Sequence, residues 1–185
     1  MRSPALTVGL LVAAFSAVPW GAAPDLHART APPPPPSRPA ALRCDTPEHR
    51  RLDFWVGDWN VTSGGQPAGT NMVTLEEDGC VVHEHWTGAK GGTGQSLNFY
   101  DRQDGRWHQV WVSSSGNVLD LAGSYADGTL TYRGQRRQPD GSTLLHRLSF
   151  HANADGTVRQ LWETSSDGGS TWTTSFDGLY RRKKG

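Results

Sequence analysis

Glycine-containing turn dipeptides interrupt this sequence at nearly regular intervals from residue 54 onward. Glycine supplies the positive φ angle that tight hairpin turns require, and a preceding Asp strengthens the signal. The runs between these dipeptides are short, rich in β-branched and aromatic residues, and alternating in polarity, as is typical of strands. The nine interruptions, which predict ten strands, are Gly64-Gly65, Asp78-Gly79, Gly91-Gly92, Asp104-Gly105, Ser115-Gly116-Asn117, Asp127-Gly128, Asp140-Gly141, Asp155-Gly156 and Asp167-Gly168.

Closure of the sheet follows from the number of strands and from the short connections between them. No segment offers ten residues of helical periodicity, so strands adjacent in sequence are expected to pair as an up-and-down meander. A meander of ten strands leaves two exposed edges, and closure into a barrel removes both. The sequence therefore predicts an all-β fold, a roughly ten-stranded antiparallel up-and-down barrel. Its first strand is expected to begin at Phe54, after a short helical turn over residues 46–51 with Thr46 as N-cap.

The N-terminal part of the chain has the composition of an export signal followed by a linker. Residues 1–23 combine Arg2, an apolar stretch and a small-residue end, which predicts a signal peptide; an uncleaved membrane anchor is the alternative. Residues 24–43 include consecutive prolines and predict a disordered polyproline tether. The folded domain is expected over residues 44–185, in a periplasmic or secreted protein with no transmembrane segment after signal cleavage.

Export makes the two cysteines informative, because disulfide bonds form and persist in oxidising compartments. Cys44 opens the predicted domain and Cys80 stands at the start of a predicted strand. Only one intramolecular pair is available to them. We predict a Cys44–Cys80 disulfide, with two free thiols as the alternative.

The charges of the chain balance, since Lys and Arg together number 18 and Asp and Glu together number 18. Without a basic excess, the composition argues against nucleic acid or an anionic membrane surface as a partner. A small-molecule ligand is the partner that the sequence favours, and the oligomeric state stays open.

The segment Phe54-Trp55-Val56-Gly57-Asp58-Trp59 contains Gly-x-Trp on the predicted first strand. It resembles the signature shared by lipocalins and fatty-acid-binding barrels, which together form the calycins. In that superfamily the Trp plugs the base of the barrel, and a basic residue near the last strand covers it. The resemblance implies these roles for Trp59 and for either Arg181 or Arg182.

A more specific resemblance, covering about residues 44–182, is to a family of uncharacterised, mostly bacterial, lipocalin-like proteins. It implies the barrel fold and brings no established activity with it. Four stretches carry it: Leu52-Asp53-Phe54-Trp55-Val56-Gly57-Asp58-Trp59, Ser96-Leu97-Asn98-Phe99-Tyr100-Asp101, Trp107-His108-Gln109-Val110-Trp111-Val112, and Arg159-Gln160-Leu161-Trp162-Glu163 through Gly168-Gly169-Ser170-Thr171-Trp172.

Alternate residues of a strand share a face, which allows the interior of the barrel to be predicted. Over residues 157–163, Arg159 and Glu163 are expected to face water, so that Gln160 and Trp162 face inward. We therefore predict an interior face that carries a polar side chain two residues before an aromatic one. The same spacing recurs on three other strands, at Glu84-x-Trp86, Asn98-x-Tyr100 and Gln109-x-Trp111.

Polar groups on this interior face require partners, because an unpartnered buried polar group costs about 1–3 kcal/mol. One interpretation is an internal hydrogen-bond network with ordered water. The other is a pocket for an amphipathic or apolar small molecule, held by aromatic faces and a few fixed polar groups. Arg147 joins the candidate ligand-binding residues if it faces inward, where it would pair with Glu84 or a ligand carboxylate; a solvent-facing Arg147 is the alternative.

The candidate ligands for a metal ion or for haem in this sequence are histidines. His83 and His85 share one strand face and can chelate a metal, but they lie opposite the inward face and need a third ligand. An inward His146 can also hold haem, as in some ten-stranded barrels. We predict no metal site and no cofactor. The candidate third ligands in the sequence are His108, His146 and His151.

Three functions are compatible with these patterns. The first is an exported barrel that binds a small molecule without catalysis. The second is an enzyme in which Glu84, with a pKa raised by burial, acts as general acid and base on a small molecule in the same cavity. The third is a structural module of the cell envelope that holds no ligand. No catalytic residue is assigned, since neither a Gly-x-Ser-x-Gly nucleophile nor a phosphate-binding loop is present.

Overall fold

The computed structural model describes residues 44–184. The predicted signal peptide (1–23) and proline-rich linker (24–43) lie outside the described residues. Two short 3-10 helices, Asp53–Trp55 and Glu77–Gly79, accompany the strands, and no α-helix occurs within residues 44–184. The strands are β1 Gly57–Ser63, β2 Gln66–Glu76, β3 Val81–Gly88, β4 Thr93–Asp101, β5 Arg106–Ser113, β6 Val118–Ala126, β7 Thr129–Arg137, β8 Thr143–Ala152, β9 Val158–Ser165 and β10 Thr173–Arg182.

The ten strands form one closed barrel in which every strand pairs antiparallel with its neighbour in sequence. The last strand returns to the first, with Trp59 opposite Arg182 and Ser63 opposite Gly178. Each predicted turn dipeptide lies at or beside a connection between strands, and glycines such as Gly128 adopt the positive φ that the turns require. The predicted all-β, ten-stranded up-and-down barrel is confirmed.

The segment before β1 differs from the prediction. Residues 53–55 form a 3-10 helix, and β1 begins at Gly57 rather than at Phe54. The reason is packing, because Leu52 and Trp55, three residues apart, are both fully buried at one end of the barrel. Residues 46–51 form consecutive turns, as in the bond from the His49 amide to the Thr46 carbonyl at 3.0 Å. The Thr46 hydroxyl bonds the His49 ring at 2.8 Å instead of capping backbone amides.

This segment closes one end of the barrel, called here the closed end. The Trp55 ring lies 4.4 Å from the Phe150 ring, and the Trp107 indole donates to the Glu48 carbonyl at 3.1 Å. The predicted disulfide is confirmed: Cys44 and Cys80 are bonded, which ties the segment to the start of β3. The closed end is therefore filled by side chains and fastened covalently.

The Gly-x-Trp signature has a steric explanation at the closed end. Trp59 is fully buried, and its indole donates to the Trp55 carbonyl at 2.8 Å. The Arg182 guanidinium lies 4.5 Å above the Trp59 ring, so Arg182 rather than Arg181 covers it. A Cβ atom on Gly57 would come within 2.2 Å of the Arg182 guanidinium, and the φ of Gly57 is +145°. Gly57 therefore makes room for the arginine that covers Trp59.

We expect replacement of Cys44 and Cys80 by Ser to lower the free energy of unfolding by about 4 kcal/mol, because the bond closes a loop spanning 36 residues. Urea denaturation of the oxidised protein and the double variant measures the difference. Wild-type protein treated with reductant serves as the control and should match the variant. An unchanged denaturation midpoint in the variant would contradict the prediction.

We expect Gly57→Ala to destabilise the barrel by on the order of 1–3 kcal/mol, because the substitution places a side chain at φ +145° and against Arg182. Adding Arg182→Ala should relieve only the steric part, so the two effects combine less than additively. Thermal and urea denaturation of both single variants and the double variant complete the cycle. Strict additivity would show that Gly57 and Arg182 do not interact.

Candidate functional site

A cavity of about 230 Å³ lies inside the barrel, toward the end opposite the closed end. Trp86, Trp111 and Trp162 line it and are half-buried, in contrast to the fully buried rings of the closed end. Its size falls below the about 300–1,000 Å³ of pockets for drug-sized ligands, so it suits a smaller molecule. The remaining lining residues are Glu84, Gln109, Leu119, Leu148, Gln160, Ser175, Phe176 and Tyr180.

Glycines in the barrel wall allow the aromatic rings to lie against it. A Cβ on Gly94 would stand 2.2 Å from the Trp111 ring, and one on Gly69 would stand 2.7 Å from the Trp86 ring. Both distances are far shorter than any real carbon contact. Glycine weakens a strand interior, and one reason to find it there is close approach by another group. Here the indole rings occupy the space of the missing side chains, which leaves the centre of the barrel open.

A buried carboxyl group forms the polar floor of the cavity. Glu84 is 3% exposed. Its Oε1 accepts a hydrogen bond from the Asn71 amide at 2.7 Å, and its Oε2 accepts one from the Ser96 hydroxyl at 2.6 Å. Burial raises the pKa of Glu84 to about 7, against the opposing effect of these two hydrogen bonds. The group therefore changes its charge near neutral pH.

A hydrogen-bond network continues behind Glu84. The Asn98 amide nitrogen donates to the Ser96 hydroxyl at 2.9 Å and to the Val82 carbonyl at 3.1 Å. The Asn98 carbonyl oxygen accepts from the Gln109 amide at 3.0 Å and from the Tyr132 hydroxyl at 3.2 Å. Asn98 is thus committed to neighbouring side chains. It holds Gln109 in place, and Gln109 in turn faces the cavity.

The structure brings six of the predicted ligand-binding residues together around the cavity and separates three others from it. The six are Glu84, Trp86, Gln109, Trp111, Gln160 and Trp162. Asn98 faces inward but lies within the network behind the cavity wall. Tyr100 shares the face of Asn98 and lies at the closed end, where its ring is 5.1 Å from the His49 ring. Arg147 lies on the outer face.

The inward alternative for Arg147 is wrong. Its guanidinium donates to the Glu163 carboxylate at 2.8 Å and lies 4.2 Å from the Trp172 ring, outside the barrel. Arg147 and Glu163 are cross-strand partners on β8 and β9, so both side chains point to the same outward face. The loop that follows β9 folds Trp172 over this pair, with its indole donating to the Gly169 carbonyl at 3.1 Å.

Sequence reasoning missed several residues of the site. Phe176, Gly178 and Tyr180 alternate on β10, and this period marks Phe176 and Tyr180 as inward-facing, as the structure shows. The Tyr180 hydroxyl donates to the Gln160 side-chain carbonyl. Asn71 is a further omission, and it becomes recognisable only through the strand register, which places it opposite Trp86.

His146 faces the interior, which the sequence left undecided. It is 2% exposed, and its Nδ1 accepts a hydrogen bond from the Trp162 indole at 3.2 Å. Burial, together with the nearby Arg136 charge, lowers the pKa of His146. We assign no haem to His146, because it does not line the cavity and because the bond accepted at Nδ1 places the proton of the neutral ring on Nε2, the nitrogen that would bind iron.

His83 and His85 lie on the outer face, as expected from their alternation with Glu84. Their rings are 4.0 Å apart, and Glu76 on the adjacent strand lies 3.1 Å from His83 Nδ1. Glu76 is therefore the third potential ligand, a residue that the sequence did not single out. His83 Nε2 also bonds Gln95 at 3.0 Å, so both of its nitrogens already have partners, and we assign no metal to this group.

The fold and the site define a class: a closed antiparallel barrel with an aromatic cavity and a buried carboxyl group. No protein-family model matches this chain, and no curated protein is significantly similar to it. No helix among residues 44–184 is long and apolar enough to cross a membrane. The function is consequently inferred from the geometry of the cavity.

We expect the stability of the protein to fall by about 3 kcal/mol between about pH 4.5 and pH 7 because of Glu84. The folded-state pKa is raised, so the folded protein binds more protons than the unfolded chain in this window, and rising pH favours unfolding. Glu84→Gln, which resembles the protonated acid, should remove this loss and exceed the wild type in stability at about pH 8.

Urea denaturation at several pH values measures both proteins, and the histidines contribute equally to the two curves. Parallel stability curves for the wild type and Glu84→Gln would contradict the assignment of the transition to Glu84.

Proposed function

We propose that this protein is an exported small-molecule-binding barrel that holds an amphipathic or apolar ligand in its Trp-lined cavity. The observation that supports it most is the open space enclosed by Trp86, Trp111 and Trp162 above Glu84. A cavity with largely aromatic walls and a few fixed polar groups is the usual design of a binding site for a small molecule.

The two alternatives are a structural module with no ligand and an enzyme, and the structure disfavours the first more than the second. A structural module with no ligand would gain stability from a filled interior, yet Gly69 and Gly94 keep the rings against the wall and the centre open. An enzyme remains the second candidate, because a carboxyl group with a pKa of about 7 is suited to acid–base chemistry at neutral pH. No second carboxylate or nucleophilic thiol lines the cavity among residues 44–184, so binding is the better supported function.

Export and family membership belong to the same proposal. The Cys44–Cys80 bond fits an oxidising compartment such as the periplasm or the extracellular space. The resemblance to the calycins is supported by the position of Trp59 at the closed end and by Arg182 above it. The narrower resemblance to uncharacterised lipocalin-like proteins rests on the four sequence stretches. Likeness of fold alone does not assign a ligand, so the ligand is inferred from the residues that line the cavity.

Native mass spectrometry of the exported protein, followed by denaturing extraction, tests this function directly. We expect a reproducible additional mass that is released on denaturation and that is less abundant in Trp111→Ala. A bare chain mass, combined with failure to bind any small aromatic molecule in titration, would reject the binding function.

We expect Trp111→Ala to weaken the binding of benzyl alcohol, a neutral probe of suitable size, by about fivefold, since an aromatic contact contributes about 1 kcal/mol. Gly94→Ala should also weaken it, because a Cβ there displaces the Trp111 ring into the cavity. Isothermal titration calorimetry measures the affinities. Trp172→Ala removes an indole from the outer face and is the matched control; an equal loss in this variant would contradict the assignment of the cavity.

A further inference from the structure

We propose that the ligand of this cavity is a small organic cation, an amine with an aromatic or apolar body, whose ammonium group pairs with Glu84. The inference rests on the proposed binding function and names the ligand class for the same site. It follows from the charge of the cavity, from the hydrogen-bonding groups around Glu84 and from the aromatic walls.

The charged groups that line the cavity are of one sign, negative. Glu84 is the only carboxyl group among the described lining residues, and no Lys, Arg or His belongs to that set. The titratable groups that influence it are His83, which points to the outer face of the same strand, and the hydroxyls of Tyr132 and Tyr180 from β7 and β10. The neighbouring strands β2 and β4 contribute the neutral side chains of Asn71 and Ser96. Among residues 44–184, the side chains that line the cavity or bond Glu84 therefore include no cation.

A buried carboxylate without a counter-ion is unfavourable, because desolvation penalises the charge and two neutral hydrogen bonds compensate only in part. Asp177 on the outer face of this barrel does have such a partner: it bonds Arg159 through both oxygens, each at 2.8 Å. Glu84 faces a cavity instead. A ligand ammonium group would supply the missing counter-ion.

The side chain that donates to Glu84 Oε1 also carries a hydrogen-bond acceptor without a partner. The Asn71 side chain is 1% exposed, its amide nitrogen is committed to Glu84, and its carbonyl oxygen is buried without a partner. The Gln109 amide nitrogen is likewise committed to Asn98. An ammonium group carries three donors and no acceptor, so it complements a carboxylate and a free carbonyl oxygen better than an alcohol or an acid does.

The aromatic walls reinforce the preference for a cation. The faces of Trp and Tyr rings carry negative potential and attract ammonium groups, with Trp the strongest. Trp86 follows Glu84 by two residues on the same inward face, and the Trp86 and Phe176 rings meet edge to face at 6.0 Å. The carboxylate and the indole can therefore contact the same ligand head group. The rest of the cavity, about 230 Å³ in all, accepts a body the size of a single aromatic ring.

The test compares three probes that share one ring and differ in charge: benzylamine, benzyl alcohol and benzoate. At about pH 8, where Glu84 is ionised, calorimetry should show benzylamine binding at least about tenfold more tightly than benzyl alcohol, and no detectable benzoate. The amine preference should decline toward about pH 5, because Glu84 becomes protonated while benzylamine keeps its charge.

Variants locate the effect. Glu84→Gln should abolish the preference for benzylamine while leaving benzyl alcohol affinity within about twofold. Glu163→Gln removes a carboxylate from the outer face and should leave the preference intact. Trp86→Leu should weaken benzylamine more than benzyl alcohol, because it removes the ring face while keeping an apolar side chain. Circular dichroism of each variant establishes that it is folded.

The outcomes separate this inference from the function on which it rests. Equal affinities for benzylamine and benzyl alcohol, unchanged by Glu84→Gln, would overturn the amine proposal and leave a binding barrel for neutral ligands. Tighter binding of benzoate would overturn it as well. Failure of all three probes, together with a bare mass in native mass spectrometry, would reject both the ligand class and the binding function.

Discussion

Pairing of the last strand with the first is the interaction on which the rest of this structure depends. It removes both edges of the sheet and creates an interior that is separate from solvent. Trp59 and Arg182 are direct cross-strand partners at this seam, and the guanidinium lies over the indole ring. Gly57 leaves the space that the arginine needs. The same residues therefore close the barrel, fill its closed end and fix the register between β1 and β10.

The two halves of the interior are built differently. At the closed end, Leu52 and Trp55 enter from the segment before the barrel, and the disulfide secures that segment. Toward the other end, Gly69 and Gly94 let the indoles lie against the wall. Close packing in one half stabilises the fold, while missing side chains in the other half leave a cavity. Trp residues thus fill the closed end, and Trp beside Gly forms the wall of the cavity.

Glu84 lowers the stability of the fold while it provides the charged group of the cavity. Its burial raises the pKa to about 7, so its ionised form opposes folding at neutral pH. A hydrophobic residue at the same position would remove that cost. The network through Asn71, Ser96 and Asn98 nonetheless holds the carboxyl group at the floor of the cavity. A group retained at a cost in stability and directed at open space is typical of a functional site.

Strand number, turns and the inward direction of Glu84, Gln109 and Trp162 follow from the sequence alone, because turn chemistry and period-two alternation are local properties. The disulfide could be predicted because two cysteines allow only one intramolecular pair. The depth of each residue along the barrel does not. The alternation of residues predicts Tyr100 as a ligand-binding residue, but it lies at the closed end, whereas Tyr180 reaches the cavity. The direction of Arg147 and the packing of Trp55 were likewise decided by the tertiary structure. Depth depends on the register between distant strands and on which segment fills each end, and both are set by contacts far apart in the chain.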